Sequence, residues 1–235
     1  TLLASSAASD VYKRQIYRRW LSLNNIKAAI FDLDGTLVDS MWVWKQIDID
    51  YLSKKGHSVP KNLNDEITHL SFSQTAEYFK NKFSLEDSIE EIMNDWNTMA
   101  YNYYTNDIKL KPGALQYLLK LKELGIKIGL ATSSSMHLLT TTLKSNNAFE
   151  LFDAITVTDE VEKSKSNPDI YLLAAKKLGV NPSECMVFED IIAAVYGAKL
   201  AGMKVTGVYD KYSEHQIDIL KKECDNYIYN YEDLI

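Results

Sequence analysis

Phe31-Asp32-Leu33-Asp34-Gly35-Thr36-Leu37 decides how this chain is read. The run before it, Ile26-Lys27-Ala28-Ala29-Ile30, has the length and apolar character of a buried strand. Two carboxylates therefore stand at the exit of a strand, followed at once by a glycine turn. Like charges this close are costly unless a cation or a shared proton offsets them. The pair points to a nucleophilic carboxylate, Asp32, beside an acid/base carboxylate, Asp34, with Mg²⁺ assisting. A solvated turn and a calcium loop of the EF-hand kind compete with that reading. The calcium loop needs further oxygen ligands before its glycine, whereas Gly35 follows Asp34 directly.

Outward from this segment the pattern changes twice. After Asp39 the strand and turn signals stop. From residue 41 to about 107, Gly56 is the only glycine and Pro60 the only proline, and Tyr, Trp, Phe, Ile and Leu recur at helical spacing. This predicts an all-helical insert of roughly 65–70 residues. Trp42 and Trp44 read as packing aromatics near a hinge rather than as a cofactor box. Beyond the insert, Pro112 fits a first helical turn, Leu115, Leu118 and Leu119 form an apolar stripe, and Gly125 can close the helix. Strands are expected over residues 126–132, 154–158, 185–188 and 204–209, with a short last one at 226–229. Helices are expected from Pro168 to Leu178, with Gly179 as cap, and over 191–200.

Strands that alternate with helices indicate an α/β fold with a parallel, Rossmann-like sheet. The expected division is a core of residues 25–39 and 109–235 with a helical domain of residues 40–108 inserted. Ligands of open α/β sheets bind beyond the carboxyl ends of the strands. Asp32, Asp34, Thr132, Glu189 and Asp190 all fall at such ends. Thr132-Ser133-Ser134-Ser135 offers hydroxyls and backbone N–H groups to an anion, although such residues are also ordinary helix caps. Lys165 would usually be a solvated charge; beside a carboxylate pair it can clamp phosphate charge. Glu189-Asp190 supplies hard oxygen ligands for Mg²⁺. His57, His69, His137 and His215 are scattered, with no pair at ligand spacing, and no serine sits in a nucleophile-elbow setting.

The bulk numbers agree with a soluble globular protein. The chain has 235 residues, 46% apolar and 25% charged, with a net charge of -6. That balance argues against a nucleic-acid partner, which calls for a basic face. No apolar run approaches the ~20 residues of a membrane span. Cys185 and Cys224 are far apart, which argues against a disulfide framework or zinc site and fits a reducing, cytoplasmic setting. A monomer is the default expectation. Residues 1–24 are set aside as an N-terminal extension, non-native or disordered. Ala4-Ser5-Ser6-Ala7-Ala8-Ser9 is low-complexity, and residues 5–15 look like translated adapter sequence.

Taken together, these motifs resemble the haloacid dehalogenase superfamily, and within it the β-phosphoglucomutase-like phosphatases that carry a small helical cap after the first motif. Phe31-Asp32-Leu33-Asp34-Gly35-Thr36 matches the first motif and Gly129-Leu130-Ala131-Thr132-Ser133-Ser134 the second. Ser164-Lys165-Ser166-Asn167-Pro168-Asp169 matches the third, with Ser166 where the family often has proline, and makes Lys165 rather than Lys163 the functional lysine. Val187-Phe188-Glu189-Asp190 matches the fourth, and Ala201-Gly202-Met203 its usual sequel. The resemblance implies that Asp32 forms an aspartyl-phosphate and that Asp34 protonates the leaving oxygen and then activates water. It implies Mg²⁺ on the side chains of Asp32 and Asp190 and the backbone carbonyl of Asp34, with Glu189 in support. Thr132, the Ser133 backbone and Lys165 would hold phosphoryl oxygens, and Leu33, Ser133, Ser134, Trp44 and Phe72 form the expected substrate-binding set. Departures are Ile191 and Ala194 where the family often has Ser and Gly. Trp44 and Phe72 stand where the mutase carries a histidine and an arginine. The expected activity is therefore hydrolysis of a small organic phosphate, with a sugar phosphomutase as runner-up. Dehalogenation is disfavoured by Asp34, and a non-catalytic binding role by the intact set.

Overall fold

The computed structural model describes residues 25–67 and 72–235, so the expected extension 1–24 and His69 lie outside the described residues. Six strands form one sheet: β1 (Ala28–Phe31), β2 (Lys127–Thr132), β3 (Ala154–Val157), β4 (Cys185–Glu189), β5 (Lys204–Val208) and β6 (Asn226–Ile228). Their order is β3-β2-β1-β4-β5-β6, and every pairing is parallel. The expected parallel α/β core is thus observed.

Parallel strands are covered on both faces and read as continuous apolar runs. β1 shows this residue by residue. Ala28 and Ile30 join one buried cluster with Val187 and Val205, while Ala29 and Phe31 join the other with Met186 and Phe188. Phe31 and Phe188 are register partners whose rings stack at 4.5 Å. Burying such a pair contributes roughly 1.5–3 kcal/mol per ring.

Between β1 and the rest of the sheet the chain runs through α1 (Trp42–Lys54), α2 (Leu63–Ile67), α3 (Phe72–Lys82) and α4 (Ile89–Asn106). Helix α4 starts at a capping box, in which Ser88 and Glu91 satisfy each other's backbone N–H groups. Its buried residues Ile92, Trp96, Ala100 and Tyr104 repeat every four positions, as one apolar stripe requires. Trp96 meets Tyr51 of α1 and Phe79 of α3 edge-on, at 5.8 and 4.8 Å. The two connections to this helical segment run side by side. Val38 and Leu110 form an antiparallel bridge, and Asp39 N–H donates to the Lys109 carbonyl at 3.1 Å.

The core then continues through α5 (Ala114–Glu123), α6 (Met136–Ser145), α7 (Asp169–Leu178), α8 (Ile192–Leu200) and α9 (Ile217–Glu223). One local expectation is corrected. Pro112 does not enter α5; it precedes the N-cap Gly113, which has φ +77°. The Pro112 carbonyl instead accepts from Tyr231 N–H at 3.0 Å. A Cβ at Gly113 would meet the Glu232 backbone N at 2.5 Å, so the approach of the C-terminal turn fixes a glycine here.

Candidate active site

The carboxyl edge of the sheet carries the candidate site. Asp32 follows β1 and extends its ladder, donating its N–H to the Phe188 carbonyl at 3.0 Å. The chain then turns tightly, with the Leu33 carbonyl accepting from Thr36, Leu37 and Val38 at 3.3, 2.9 and 3.0 Å. The Leu33 side chain is fully buried in the core, which leaves only its backbone to meet a ligand. Gly35, at φ +77°, stands where a Cβ would meet Asp190 Oδ2 at 2.6 Å. Glycine is therefore what lets the loop after β1 lie against the end of β4.

Around Asp32 the charges alternate. Lys165 Nζ reaches Asp32 Oδ1 at 2.6 Å and Glu189 Oε1 at 2.5 Å. Burial opposes the charge of Lys165, but the two carboxylates outweigh it and hold its pKa above the ordinary lysine value. Tyr171, on α7, donates to the same Glu189 oxygen at 2.8 Å. Thr36 Oγ1 donates to Asp190 Oδ1 at 3.1 Å. One oxygen each of Asp32, Glu189 and Asp190 lies within 4.8 Å of the others, and all three residues are buried. Burial, reinforced by the charge of Asp32, pushes Asp190 up to about 7. Burial likewise raises Glu189, against the pull of Lys165.

This donor set fits a hard divalent cation. Glu189 Oε2 is buried with no hydrogen-bond partner among the described residues, and a buried charged oxygen without a partner is costly. Oxygen ligands from three carboxylates are what Mg²⁺ takes. Asp34 contributes no side-chain oxygen to that cluster.

The Asp34 carboxyl faces elsewhere. Its Oδ1 accepts from Ser40 Oγ at 2.6 Å and from Tyr104 OH at 2.5 Å. Burial, then the charge of Asp32, raises its pKa, while hydrogen bonds from Ser40, Tyr104 and Ser134 pull it down; the net shift is upward. Two carboxylates two residues apart thus have different surroundings: Asp32 faces a lysine, and Asp34 sits among hydroxyl donors.

Thr132 closes β2 and is fully buried, its Oγ1 accepting from Ser134 N–H at 3.0 Å. Ser133 is exposed at the rim, and Ser135 caps α6 by accepting from Leu138 N–H. Trp44 is 38% exposed and lines a cavity between α1 and the loop after β5. Phe72 packs edge-on against Trp44 at 5.8 Å and also meets Trp96 at 5.6 Å; it is not among the residues lining that cavity. Sequence reasoning did not single out Thr36, Ser40, Tyr104 or Tyr171, which hold Asp190, Asp34 and Glu189. Only Thr36 carried a signal, from its place in the opening segment.

The family model for haloacid dehalogenase-like hydrolases matches residues 29–208. The chain is a member of that family. This haloacid dehalogenase-like hydrolase is 35% identical over 188 residues to YhcW of Bacillus subtilis (strain 168), a protein with phosphatase in its name, covering 79% of this chain and 84% of the relative. It is 30% identical over 185 residues to Hexitol phosphatase B of Escherichia coli (strain K12), covering 76% of this chain and 82% of the relative. A Thermotoga maritima crystal structure carrying the β-phosphoglucomutase name superposes with a TM-score of 0.78 at 25% identity, covering 89% of the hydrolase and 97% of the neighbour. Among the described residues of the hydrolase, no helix is long and apolar enough to cross a membrane.

Proposed function

We propose that this hydrolase is a Mg²⁺-dependent phosphatase of small organic phosphate monoesters, sugar phosphates or similar metabolites, working through an aspartyl-phosphate at Asp32. The observation that carries this reading is the division of surroundings at the first motif. Asp32 is paired with Lys165 at 2.6 Å, while Asp34, two residues on, is buried among hydroxyl donors that leave its pKa raised.

Asp32 attacks phosphorus, and the ester oxygen leaves with the proton of the Asp34 carboxyl. The Asp34 carboxylate then takes a proton from water as that water attacks the phosphorus of the aspartyl-phosphate. The P–O bond to Asp32 breaks and inorganic phosphate is released. Lys165, Thr132, Ser133, Ser134 and the Leu33 backbone orient and neutralise the phosphoryl oxygens. Asp32, Asp190 and the Asp34 carbonyl, with Glu189 behind them, would hold Mg²⁺, which would supply positive charge to the anionic phosphoryl group. The helical segment, residues 40–108, acts as a cap that closes over the organic part of the substrate and excludes water. The proposed setting is the cytoplasm, supported by two free cysteines, with a monomer as the default.

A phosphomutase is the second reading, because Beta-phosphoglucomutase of Bacillus subtilis (strain 168) is also a relative, 31% identical over 201 residues. Trp44 and Phe72 in place of a cap histidine and arginine favour hydrolysis over transfer. The test is hydrolysis of p-nitrophenyl phosphate with and without EDTA. Activity that EDTA abolishes, and that Asp32→Asn lowers by at least ~10³-fold, is the expected result for loss of a covalent nucleophile. Full activity in Asp32→Asn sinks the reading. Isomerisation of β-glucose 1-phosphate in the presence of the bisphosphate, without net phosphate release, selects the mutase instead.

A further inference from the structure

Helix α7 opens directly after the third motif, and its second and third residues, Ile170 and Tyr171, are buried. Tyr171 is fully buried, in the cluster that holds Ile30, Ala131 and Val187. Side chains of a helix lean toward its N-terminus, so a long side chain in the first turn reaches to the helix end. Here the phenol meets Glu189, the last residue of β4.

The two oxygens of Glu189 are treated unequally. Oε1 accepts from Tyr171 OH at 2.8 Å and from Lys165 Nζ at 2.5 Å. Oε2 is buried with no partner among the described residues. A core tyrosine needs one acceptor for its hydroxyl. That need does not account for a second carboxylate oxygen left bare beside it, which is costly. The pattern is that of a carboxylate held by one oxygen while the other is offered to a cation. One oxygen of Glu189 lies within 4.8 Å of oxygens of Asp32 and Asp190.

The two donors to Oε1 are not equivalent. Lys165 is shared with Asp32 at 2.6 Å, and its ammonium is a point charge on a flexible stem. In the proposed reaction it also serves the phosphoryl oxygens. The Tyr171 ring is fully buried, and a close-packed core keeps its hydroxyl where the fold puts it. The last torsion of a glutamate is soft, so one oxygen must be fixed before the other has a set direction.

Resting on the Mg²⁺ part of the phosphatase reading, we propose that Tyr171 is a positioning residue for the metal: it holds Glu189 Oε1 so that Oε2 is left to the cation. Partners that hold a ligating carboxylate in this way set metal affinity, and losing one typically weakens it by about 10- to 100-fold.

The experiment measures melting temperature against MgCl₂ concentration at constant ionic strength, on substrate-free protein stripped with EDTA. The rise in Tm gives Kd for Mg²⁺ alone, because a ligand that binds only the folded state stabilises it by mass action. Tyr171→Phe keeps the ring and its packing. It is expected to raise that Kd by about 10-fold or more. The Mg²⁺ concentration for half-maximal hydrolysis of p-nitrophenyl phosphate should rise by the same factor, with kcat at saturating Mg²⁺ little changed. In a Glu189→Gln background, Tyr171 and Lys165 claim the single amide oxygen, so adding Tyr171→Phe is expected to weaken Mg²⁺ binding no further. A Tyr171→Phe protein whose Tm falls equally with and without Mg²⁺, at unchanged Kd, shows a packing role only and overturns the assignment. An equal further loss of affinity in the Glu189→Gln background also overturns it, since Tyr171 would then act on something other than Glu189. A parent whose Tm ignores Mg²⁺ overturns the Mg²⁺ reading beneath it, and Tyr171 with it.

Discussion

Asp32 and Asp34 differ less in position than in company. Asp34 draws hydroxyl donors from three places: Ser40 after the first motif, Ser134 after β2 and Tyr104 on α4. The phenol of Tyr104 is the one of these donors that comes from a helix of the helical segment, α4. Tyr104→Phe is therefore expected to lower kcat by about 10-fold with little change in KM, and to cost about 1 kcal/mol of stability for one buried hydrogen bond. Steady-state kinetics and urea unfolding check the two parts. Asp48 gives a prediction of opposite sign. Its folded pKa, about 7, stands above the ordinary 3.8, so the folded state holds the proton more tightly than the unfolded chain. The protein is then fully stable in this respect below 3.8 and loses stability as pH rises to about 7. Asp48→Asn is expected to match the parent at low pH and to exceed it at neutral pH by on the order of 2 kcal/mol, after discounting for partial solvent access. Melting temperatures at both ends of that range test it. At this scale the sequence was readable where motif spacing carries chemistry, as at Asp32, Lys165 and Asp190. It was not readable at Tyr104 or Tyr171, because a tyrosine within an apolar helical stripe looks like any other core aromatic until the fold aims its hydroxyl.

At the scale of elements, the connection between helical segment and core is heavily fastened. Lys111 N–H donates to the Leu37 carbonyl at 2.8 Å. Its Nζ donates to the Gly35 carbonyl, to the Tyr209 carbonyl at 2.6 Å and to Asp210 Oδ2 at 3.0 Å. Asn146, the C-cap of α6, grips the same connection, accepting from Leu110 N–H and donating to the Ile108 carbonyl. Both members of the Lys111–Asp210 pair are nine-tenths buried. Removing one charge leaves the other stranded, so Lys111→Met is expected to cost about 3–5 kcal/mol. Adding Asp210→Asn should restore part of that loss, which a double-mutant cycle in denaturant measures. The strands and most helices were legible because each alternates apolar faces or carries an apolar stripe. Pro112 was misread, since proline suits both a first turn and the position before it, and only the approach of Glu232 to Gly113 chooses between them.

For the molecule as a whole, one apolar cluster runs from Phe31 and Phe188 in the sheet to Val43, Tyr51 and Trp96 in the helical segment. Two units that share a core are expected to melt together. Calorimetry should give a single transition with calorimetric and van't Hoff enthalpies that agree; two resolved transitions would show that the helical segment melts independently. The parallel architecture was legible at this scale because its signal is summed over many residues. The cavity was not, because its lining comes from α1, from residues 59–67 and from Tyr212, segments that nothing in their order marks as neighbours.

The two connections zipped at Val38 and Leu110 bear on how the helical segment would travel. Two separate single-strand hinges would leave it free to tilt, twist and slide. A paired ribbon bends across its plane and resists shear within it, and Lys111 pins one edge to the loop that carries Asp34. Any motion of the helical segment would thereby be reduced to something near one degree of freedom, an arc. On that geometry, a swing of the helical segment would carry Tyr104 toward or away from Asp34, so the carboxyl would gain or lose one of its donors with the swing.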